Sequence, residues 1–368
     1  MFRPHKVFSL VALSLGLLLT PAITHAQSKT QQDPKIKFIS SGITNARSKI
    51  RSFQASTEYY NFEPKEVNAI FADLFPDSKL KLNVDIENIW STQYWSQGDL
   101  HKSSITYLKG DMQSENHTRI IFIEPLQAAT LDWDLVKKED GTEEKRYVVG
   151  SIVPREWGFR DGFSGDIQGS DPRKLAHPAG LNLFFDDLLN RADVPAFYKG
   201  EVELDGTLCY KIERHSDANN QKIYWLDKEH DFIVRRIEYM EKVGDKWFPT
   251  QVTRTLRIQE SNGIWFPALV EMRVAFALMP PYQVGGEKYG KLPVGVAPDK
   301  VQTVNGILTV PGRFYRYTVE NLRVNKPIAP ENLVLEWPPN SIVFNRITGK
   351  PVDTTPKPPK ETPEKTAP

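Results

Sequence analysis

The hydrophobic and polar positions of residues 201–276 predict an antiparallel β-meander. Short runs rich in β-branched and aromatic residues alternate with turn pairs such as Asp205-Gly206 and Asn262-Gly263. Such pairs favour two-residue hairpins, because a type I′ turn needs positive φ at both central residues. Strands joined by such short turns pair in antiparallel fashion with their neighbours. The strands predicted here are Glu201–Leu204, Thr207–His215, Lys222–Leu226, Phe232–Glu241, Lys246–Glu260 and Ile264–Phe276.

A helical period precedes the first strand of the chain. Apolar residues recur at three- and four-residue spacing at Ile36, Ile39, Ile43, Ala46 and Ile50. This stripe predicts an amphipathic helix over Pro34–Ile50, with Pro34 well placed in its first turn. The helix is followed directly by a predicted strand at Arg51–Asn61.

Similar patterns predict two more helices and six more strands. The helices, Pro64–Phe75 and Leu181–Arg191, each have an apolar side at helical spacing. Strict alternation from Lys79 to Glu87 predicts a strand with one dry and one wet face. The other strands are predicted at Leu100–Leu108, His117–Glu124, Ala128–Val136, Lys145–Val153 and Phe314–Val324.

Stretches rich in glycine and proline interrupt these elements. Residues 154–178 and 279–312 are predicted to be long loops inserted in one domain, residues 27–352. Residues 353–368 consist mainly of Pro, Lys, Thr and Glu. This tail is predicted to be disordered, because it cannot bury enough apolar surface to offset its loss of entropy.

The first 26 residues have the features of a secretory signal peptide. Arg3 and Lys6 precede an apolar run, Val7–Leu19, and Thr24-His25-Ala26 provides small residues at the cleavage positions. The run is shorter than the roughly 20 residues of a transmembrane helix. We therefore expect cleavage after Ala26, no membrane span, and a periplasmic or secreted protein.

The charge balance limits the classes of partner. Lys and Arg number 47 against 46 Asp and Glu, a net charge of +1. This balance argues against nucleic acid as the partner.

Cys209 is the single cysteine, so no internal disulfide can form. We predict that Cys209 is buried as a small hydrophobic residue.

The sequence has no clear catalytic or metal-binding motif. Gly162-Phe163-Ser164-Gly165 lacks the order of a nucleophile elbow. No two histidines after residue 26 have the i, i+4 spacing of a helical metal site. Asp186-Asp187 is predicted to be a solvated pair on the wet side of a helix. We therefore predict no catalytic residue, no metal, no cofactor and a protein that is not an enzyme.

Aromatic residues are the most informative feature of the composition, because the chain has 8 Trp, 13 Tyr and 19 Phe. One interpretation is core and cross-strand packing, because rings suit pleated surfaces. The other is an apolar cavity lined with rings that binds an acyl chain or another apolar ligand. The candidates for such a cavity are Trp90, Trp95, Phe122, Trp133, Trp225, Tyr239, Trp247 and Trp265.

Several stretches occur in an order that is found in a known family. The first helix enters Ile50-Arg51-Ser52-Phe53-Gln54-Ala55, and a hairpin leads from Gly206 into Tyr210-Lys211-Ile212. Ile223-Tyr224-Trp225-Leu226-Asp227 is then followed, after a short turn, by Val234-Arg235-Arg236-Ile237-Glu238. The close is Pro330-Glu331-Asn332-Leu333 and Pro338-Pro339-Asn340-Ser341-Ile342-Val343. This order resembles the LolA-like superfamily of periplasmic lipoprotein carriers and related lipid-binding envelope proteins.

The resemblance implies a mainly β (α+β) fold: a curved antiparallel sheet that forms an unclosed half-barrel, covered by a few short helices. It also implies a non-enzymatic carrier or chaperone that binds lipid or lipoprotein acyl chains in an apolar cavity. Two other hypotheses stay open. One is a structural or protein-interaction module of the cell envelope, and the other is an enzyme with an unrecognised site. The oligomeric state is left open.

Overall fold

The computed structural model describes residues 33–67, 85–110, 117–154, 185–277, 298–304, 306–339 and 341–355. For residues 147, 148, 276, 277 and 298 it describes the backbone alone. The predicted signal peptide and the tail from residue 356 lie outside these ranges. So do most of the predicted loop at 154–178, the first part of that at 279–312, and most of the predicted helix Pro64–Phe75.

The first described element is the helix α1, Pro34–Ser48. The Asp33 carboxylate caps it by accepting a hydrogen bond of 2.7 Å from the backbone N–H of Lys35. Ile36, Ile39 and Ile43 are buried on one side. The predicted helix is confirmed, and its apolar stripe is the side that packs against the sheet.

Sixteen strands of the described residues form one sheet. They are β1 (Ser52–Glu63), β2 (Ile86–Gln97), β3 (Leu100–Lys109), β4 (His117–Ile123), β5 (Gln127–Lys137), β6 (Glu143–Pro154), β7 (Ala196–Leu204), β8 (Thr207–His215), β9 (Asn220–Asp227), β10 (Val234–Val243), β11 (Lys246–Ser261), β12 (Ile264–Ala277), β13 (Gln302–Val304), β14 (Ile307–Val324), β15 (Val343–Asn345) and β16 (Lys350–Val352). A second helix, α2, spans Phe185–Leu189, and short 3₁₀ turns lie at Pro298–Lys300 and Pro330–Leu333. None of the described helices is long and apolar enough to cross a membrane.

The strand order is β16-β15-β6-β5-β4-β3-β2-β1-β14-β12-β11-β10-β9-β8-β7, with β13 paired to β14. Two meanders, β1 to β6 and β7 to β12, therefore join through β14. The pairs are antiparallel except for β15 with β6, which is parallel. The order starts at β16 and ends at β7, so the sheet does not close into a barrel. The predicted mainly β fold with an unclosed antiparallel sheet is confirmed.

The sheet has two faces, because successive side chains of a strand point to opposite sides. We call the face that α1 covers the helix face and the other the outer face. Under α1, its isoleucines pack with Tyr210, Ile212 and Tyr224. The helix face continues across the sheet, because Ile237 lies opposite Thr253 and Thr253 lies opposite Met272. Met272 belongs to a second core built around Phe53, Tyr94 and Phe266.

Strand β2 differs from the prediction. The alternation that predicted a strand ends at Glu87, and residues 79–84 lie outside the described ranges. The observed strand runs on to Gln97. Its polar residues occupy both faces: Thr92 and Ser96 are buried on the helix face, and Ser91 and Gln93 lie on the outer face. The part of β2 after Glu87 therefore lacks the alternation of apolar and polar residues that would have predicted it.

The end of the second predicted loop is also corrected. Residues 302–304 and 307–312 are strand, so β14 begins before the predicted start at Phe314. Pro311 and Gly312 gave this stretch its loop-like composition. In the structure Pro311 lies opposite Ala275, next to a shift in register. A proline is tolerated at such a bulge, where the missing N–H breaks no regular ladder bond.

Asp186, in α2, contradicts the prediction of a solvated pair. It is 2% exposed, and its carboxylate accepts hydrogen bonds from Thr44 Oγ1 at 2.5 Å and Arg47 NH1 at 2.9 Å. Its neighbour Asp187 is exposed, as predicted. The contact with α1 determines which side of α2 is buried. The spacing of apolar residues within α2 does not reveal that contact.

Asp227 organises the turn between β9 and β10. It is fully buried, and its carboxylate accepts bonds from the backbone N–H groups of Glu229 and His230 and from Arg235 Nε at 2.8 Å. Burial raises the pKa of Asp227, but these bonds and the His230 side chain outweigh it, so the pKa falls below its ordinary value. The hairpin of β9 and β10 is thus held at its turn by a buried carboxylate.

Cys209, in β8, is fully buried, as predicted. Burial raises the pKa of its thiol to about 11, with the Asp227 carboxylate adding to the shift. A thiol with so high a pKa stays protonated near neutral pH and is a poor nucleophile. Its role is therefore packing.

Candidate functional site

A row of aromatic rings crosses the helix face on neighbouring strands. Tyr315 of β14 lies 6.0 Å from Tyr59 of β1, measured between ring centroids. Tyr59 stacks on Trp90 of β2 at 3.9 Å, and Trp90 lies 6.2 Å from Tyr107 of β3. His117 of β4 continues the line, 5.8 Å from Tyr107. We call these five side chains the ring row.

The register of the sheet produces the ring row. Trp90 is directly opposite Tyr59 on one side and Tyr107 on the other. Five adjacent strands at the usual spacing span about 19 Å. Tyr59 is buried, while Trp90, Tyr107 and Tyr315 are half-buried. Burial raises the pKa of Tyr107, so its hydroxyl is neutral at physiological pH. The result is a long, uncharged, largely apolar strip.

The strip ends at β4 and β5, where a group of charged side chains lies. His117 Nδ1 lies 2.8 Å from Asp134 Oδ1, and His117 Nε2 lies 3.3 Å from Asp132 Oδ1. Arg119 Nε donates to the same Asp132 oxygen at 2.6 Å. The exposed fractions of these side chains run from 12% for His117 to 29% for Arg119. We call the four residues the charged end. Ring row and charged end together form an amphipathic surface.

His117 is fixed where the ring row meets the charged end. Both ring nitrogens of His117 face carboxylates, so His117 is held in place by partners on two sides. Within the described residues, no group of three or more His, Cys, Asp or Glu side chains could hold a metal ion. What the arrangement offers a ligand is flat ring surface and, at one end, hydrogen-bonding groups.

The eight aromatic candidates are divided between the two faces. Trp90 is in the ring row, and Tyr239 lies on the helix face beside the core under α1, with the Lys222 ammonium 4.1 Å from its ring. The other six alternate with residues of the helix face and therefore lie on the outer face. They are Trp95, Phe122, Trp133, Trp225, Trp247 and Trp265.

Sequence reasoning missed most of the ring row and all of the charged end. Tyr59, Tyr107 and Tyr315 are ordinary strand residues in the sequence, and His117 with Asp132 and Asp134 has no motif spacing. What brings them together is the pairing of β1 with β14 and the exact registers of β2 to β5. Alternation within a strand indicates which residues share a face, but no local signal identifies the neighbour across a sheet.

Phe122 is the outer-face candidate that lines a cavity. The cavity has a volume of about 300 Å³ and lies between the sheet and residues 333–337, which cross the outer face. We call this segment the strap. The residues around the cavity are Leu100, Phe122, Glu124, Gln127, Ala129, Ile152, Leu333, Val334, Leu335 and Trp337.

Comparison with known proteins finds likeness at the level of the fold. No family model and no curated protein matches the sequence. A DUF1329 family protein from Desulfovibrio piger aligns at a TM-score of 0.38 and 11% identity, over 81% of this chain and 97% of that one. A putative outer membrane lipoprotein-sorting protein domain from Vibrio parahaemolyticus aligns at 0.35 and 9%, over 81% and 97%. A LolA superfamily protein from Nitrosomonas europaea aligns at 0.32 and 10%, over 80% and 97%. The Nitrosomonas europaea protein is a member of the superfamily that the sequence resembles.

Proposed function

We propose that this protein is an exported, non-enzymatic binding protein of the cell envelope that takes up an amphiphile, with the acyl chain of a lipid or lipoprotein lying on the ring row. The observation that supports this proposal is the ring row itself, with its charged end. Export rests on the signal-peptide pattern of residues 1–26. The role that follows is that of a carrier or chaperone for acyl chains.

The ring row matches the shape of an acyl chain. An extended chain needs a long, narrow, apolar surface, and the row offers about 19 Å across five strands. Half-buried rings such as Trp90 and Tyr107 can lose their remaining exposure to a ligand, and burial of apolar area drives binding. Tyr59 gains little more burial and acts as the rigid support on which Trp90 stacks.

The charged end matches the other half of an amphiphile. Ligand sites combine an apolar lining with a few placed polar groups that fix orientation. Asp132, Asp134, His117 and Arg119 offer both donors and acceptors at the β4–β5 side of the row. A bound amphiphile therefore points its head group to β5 and its chain towards β14.

Trp90→Ala tests the proposal. The delipidated protein is titrated with a fluorescent fatty acid, and we expect the variant to bind about tenfold more weakly, because a central ring of the surface is gone. The matched control is Trp225→Ala, since Trp225 lies on the outer face between Lys211 and Arg236, with cation-to-ring distances of 5.8 and 5.3 Å. Its affinity is expected to equal that of the wild type.

Two results would count against the proposal. One is wild-type protein that takes up no fatty acid and co-purifies with no lipid in native mass spectrometry. The other is an equal loss in both variants. Circular dichroism and a thermal melt establish that each variant is folded, and Trp90→Phe, which keeps a ring, is expected to retain most of the affinity.

A further inference from the structure

The strap is fastened to the outer face by specific contacts. Lys102 Nζ donates to the carbonyl oxygen of Val334 at 2.8 Å. Trp337 covers Gly150 so closely that a Cβ on that glycine would lie 2.6 Å from the Trp337 ring. Leu335 and Trp337 pack against the core formed by Ala129, Ile152 and Val343. The cavity beneath the strap is therefore a built feature with a defined wall on each side.

The interior of this cavity and its entrance differ in chemistry. Phe122, Ala129, Ile152 and Leu335 make the interior apolar. At the entrance, Gln127 Nε2 donates to Glu124 Oε2 at 2.9 Å.

Three acidic side chains lie on the strap, beside it or in the cavity lining. Glu336 is exposed on the strap, Glu331 is exposed just before it, and Glu124 lines the cavity. The ammonium of Lys102 is already bonded to the Val334 carbonyl. Burial lowers the pKa of Lys102, while the nearby Glu336 acts in the opposite direction. A cationic group on a ligand is therefore favoured here over an anionic one.

Exposed apolar side chains extend the surface beyond the cavity. Leu126, at the tip of the β4–β5 turn between two cavity-lining residues, is 88% exposed, and Val334 on the strap is 43% exposed. A small molecule held in the cavity would leave both uncovered. A polypeptide lying across the entrance would cover them while placing one side chain inside.

We propose that the cavity under the strap is a docking site for a partner polypeptide, which inserts one large apolar side chain into it and places a basic residue against Glu124 and Glu336. A volume of about 300 Å³ is at the lower end for small-molecule sites. It suits a single anchoring side chain, and such buried anchors carry most of the energy of many interfaces. The site is on the outer face and is independent of the ring row.

Short peptides test this site. N-acetylated, fluorescently labelled peptides carry Phe-Lys, Phe-Glu or Ser-Lys at the centre of a Gly-Ser background, and their binding is followed by fluorescence anisotropy. We expect the Phe-Lys peptide to bind about tenfold more tightly than either of the others, because only it fills the cavity and meets the acidic entrance.

Variants locate the binding. Ala129→Trp fills the cavity and is expected to abolish binding of the Phe-Lys peptide. Leu108→Trp adds the same ring at an exposed position of β3 and is expected to leave binding intact. Glu124→Gln combined with Glu336→Gln is expected to remove the preference for Phe-Lys over Phe-Glu. The thermal melts of all variants show whether each one is folded.

Three outcomes would overturn the proposal. The first is wild-type protein that binds none of the peptides, and the second is peptide binding that persists in a folded Ala129→Trp variant. The third is a fatty acid whose binding is blocked by Ala129→Trp while the peptides neither bind nor compete, which would assign the cavity to a free apolar ligand. Each leaves the ring-row proposal to its own test with Trp90→Ala.

Discussion

At the scale of single residues, Asp227 links the fold to pH. Its pKa is lowered in the folded protein from its ordinary 3.8. A carboxyl group with a lowered folded pKa adds stability that is fully present above the unfolded pKa and is lost as pH falls through the folded value. The stability from Asp227 is therefore complete at neutral pH and declines below about pH 3.8.

Asp227→Asn is expected to lower the free energy of unfolding at pH 7 by about 3 kcal/mol, because it leaves Arg235 without its buried charge partner. Urea unfolding at pH 7 and at successively lower pH measures the change. The difference from the wild type should shrink as pH falls from 3.8 to the lower pKa of the folded protein, because the wild-type carboxyl also becomes neutral there. A pH-independent difference would contradict this assignment. Asp245→Asn, in an exposed turn, is the control and should change little.

At the scale of elements, the contact of α1 with α2 depends on a buried polar group. Asp186 of α2 binds Thr44 and Arg47, both of α1, and Asn190 Nδ2 donates to Ser40 Oγ at 2.8 Å beside it. These bonds set how the two helices lie on the apolar core beneath them.

Asp186→Ala is expected to destabilise the protein by about 2 kcal/mol, since Arg47 loses its partner and Thr44 its acceptor. Thermal or urea unfolding measures the loss. Asp187→Ala is a matched control one residue away, exposed to solvent, and should stay within about 0.5 kcal/mol of the wild type. Equal effects of the two substitutions would show that the Asp186 contacts contribute little.

The elements that sequence predicted well are those with local signals. Asp205-Gly206 and Asn262-Gly263 each lie at a turn with positive φ, and the hairpins around them are as predicted. The pair Asn305-Gly306 carries the same Asn-Gly signal in the sequence, and Gly306 has a φ of 73°. That pair could have predicted the hairpin of β13 with β14, but Pro311 and Gly312 outweighed it. Strand β2 lacks hydrophobic alternation over most of its length, because its polar residues point to both faces.

At the scale of the whole molecule, the strand order predicts a gradient of stability. Among the strands of the described residues, β1 and β14 have partners on both sides, while β7 has a partner on one side only. Amides in central strands open with free energies closer to that of global unfolding than amides at the margins. Hydrogen exchange followed by mass spectrometry should find β1 and β14 protected at least about tenfold longer than β7. Equal protection of the centre and the margin would contradict this order.

The ring row could not be predicted, because it depends on how the strands pair across the whole sheet. Tyr59 pairs with Trp90, a neighbour in the chain order of strands, but also with Tyr317 of β14, which is far away in sequence. Single strands reveal which residues share a face. Only the assembled sheet reveals which faces become continuous, and the candidates chosen by residue type alone were divided between two sides.

The parallel pairing of β15 with β6 has a consequence for the newly made chain. β6 is complete at residue 154, but its neighbour begins at residue 343. Until then β6 keeps a row of unpaired backbone groups, and β1 likewise waits for β14. Open edges of this kind template wrong pairing between chains. We therefore expect the nascent protein to need shielding by a chaperone for most of its synthesis, and a chain truncated before residue 343 to aggregate where the full chain stays in solution.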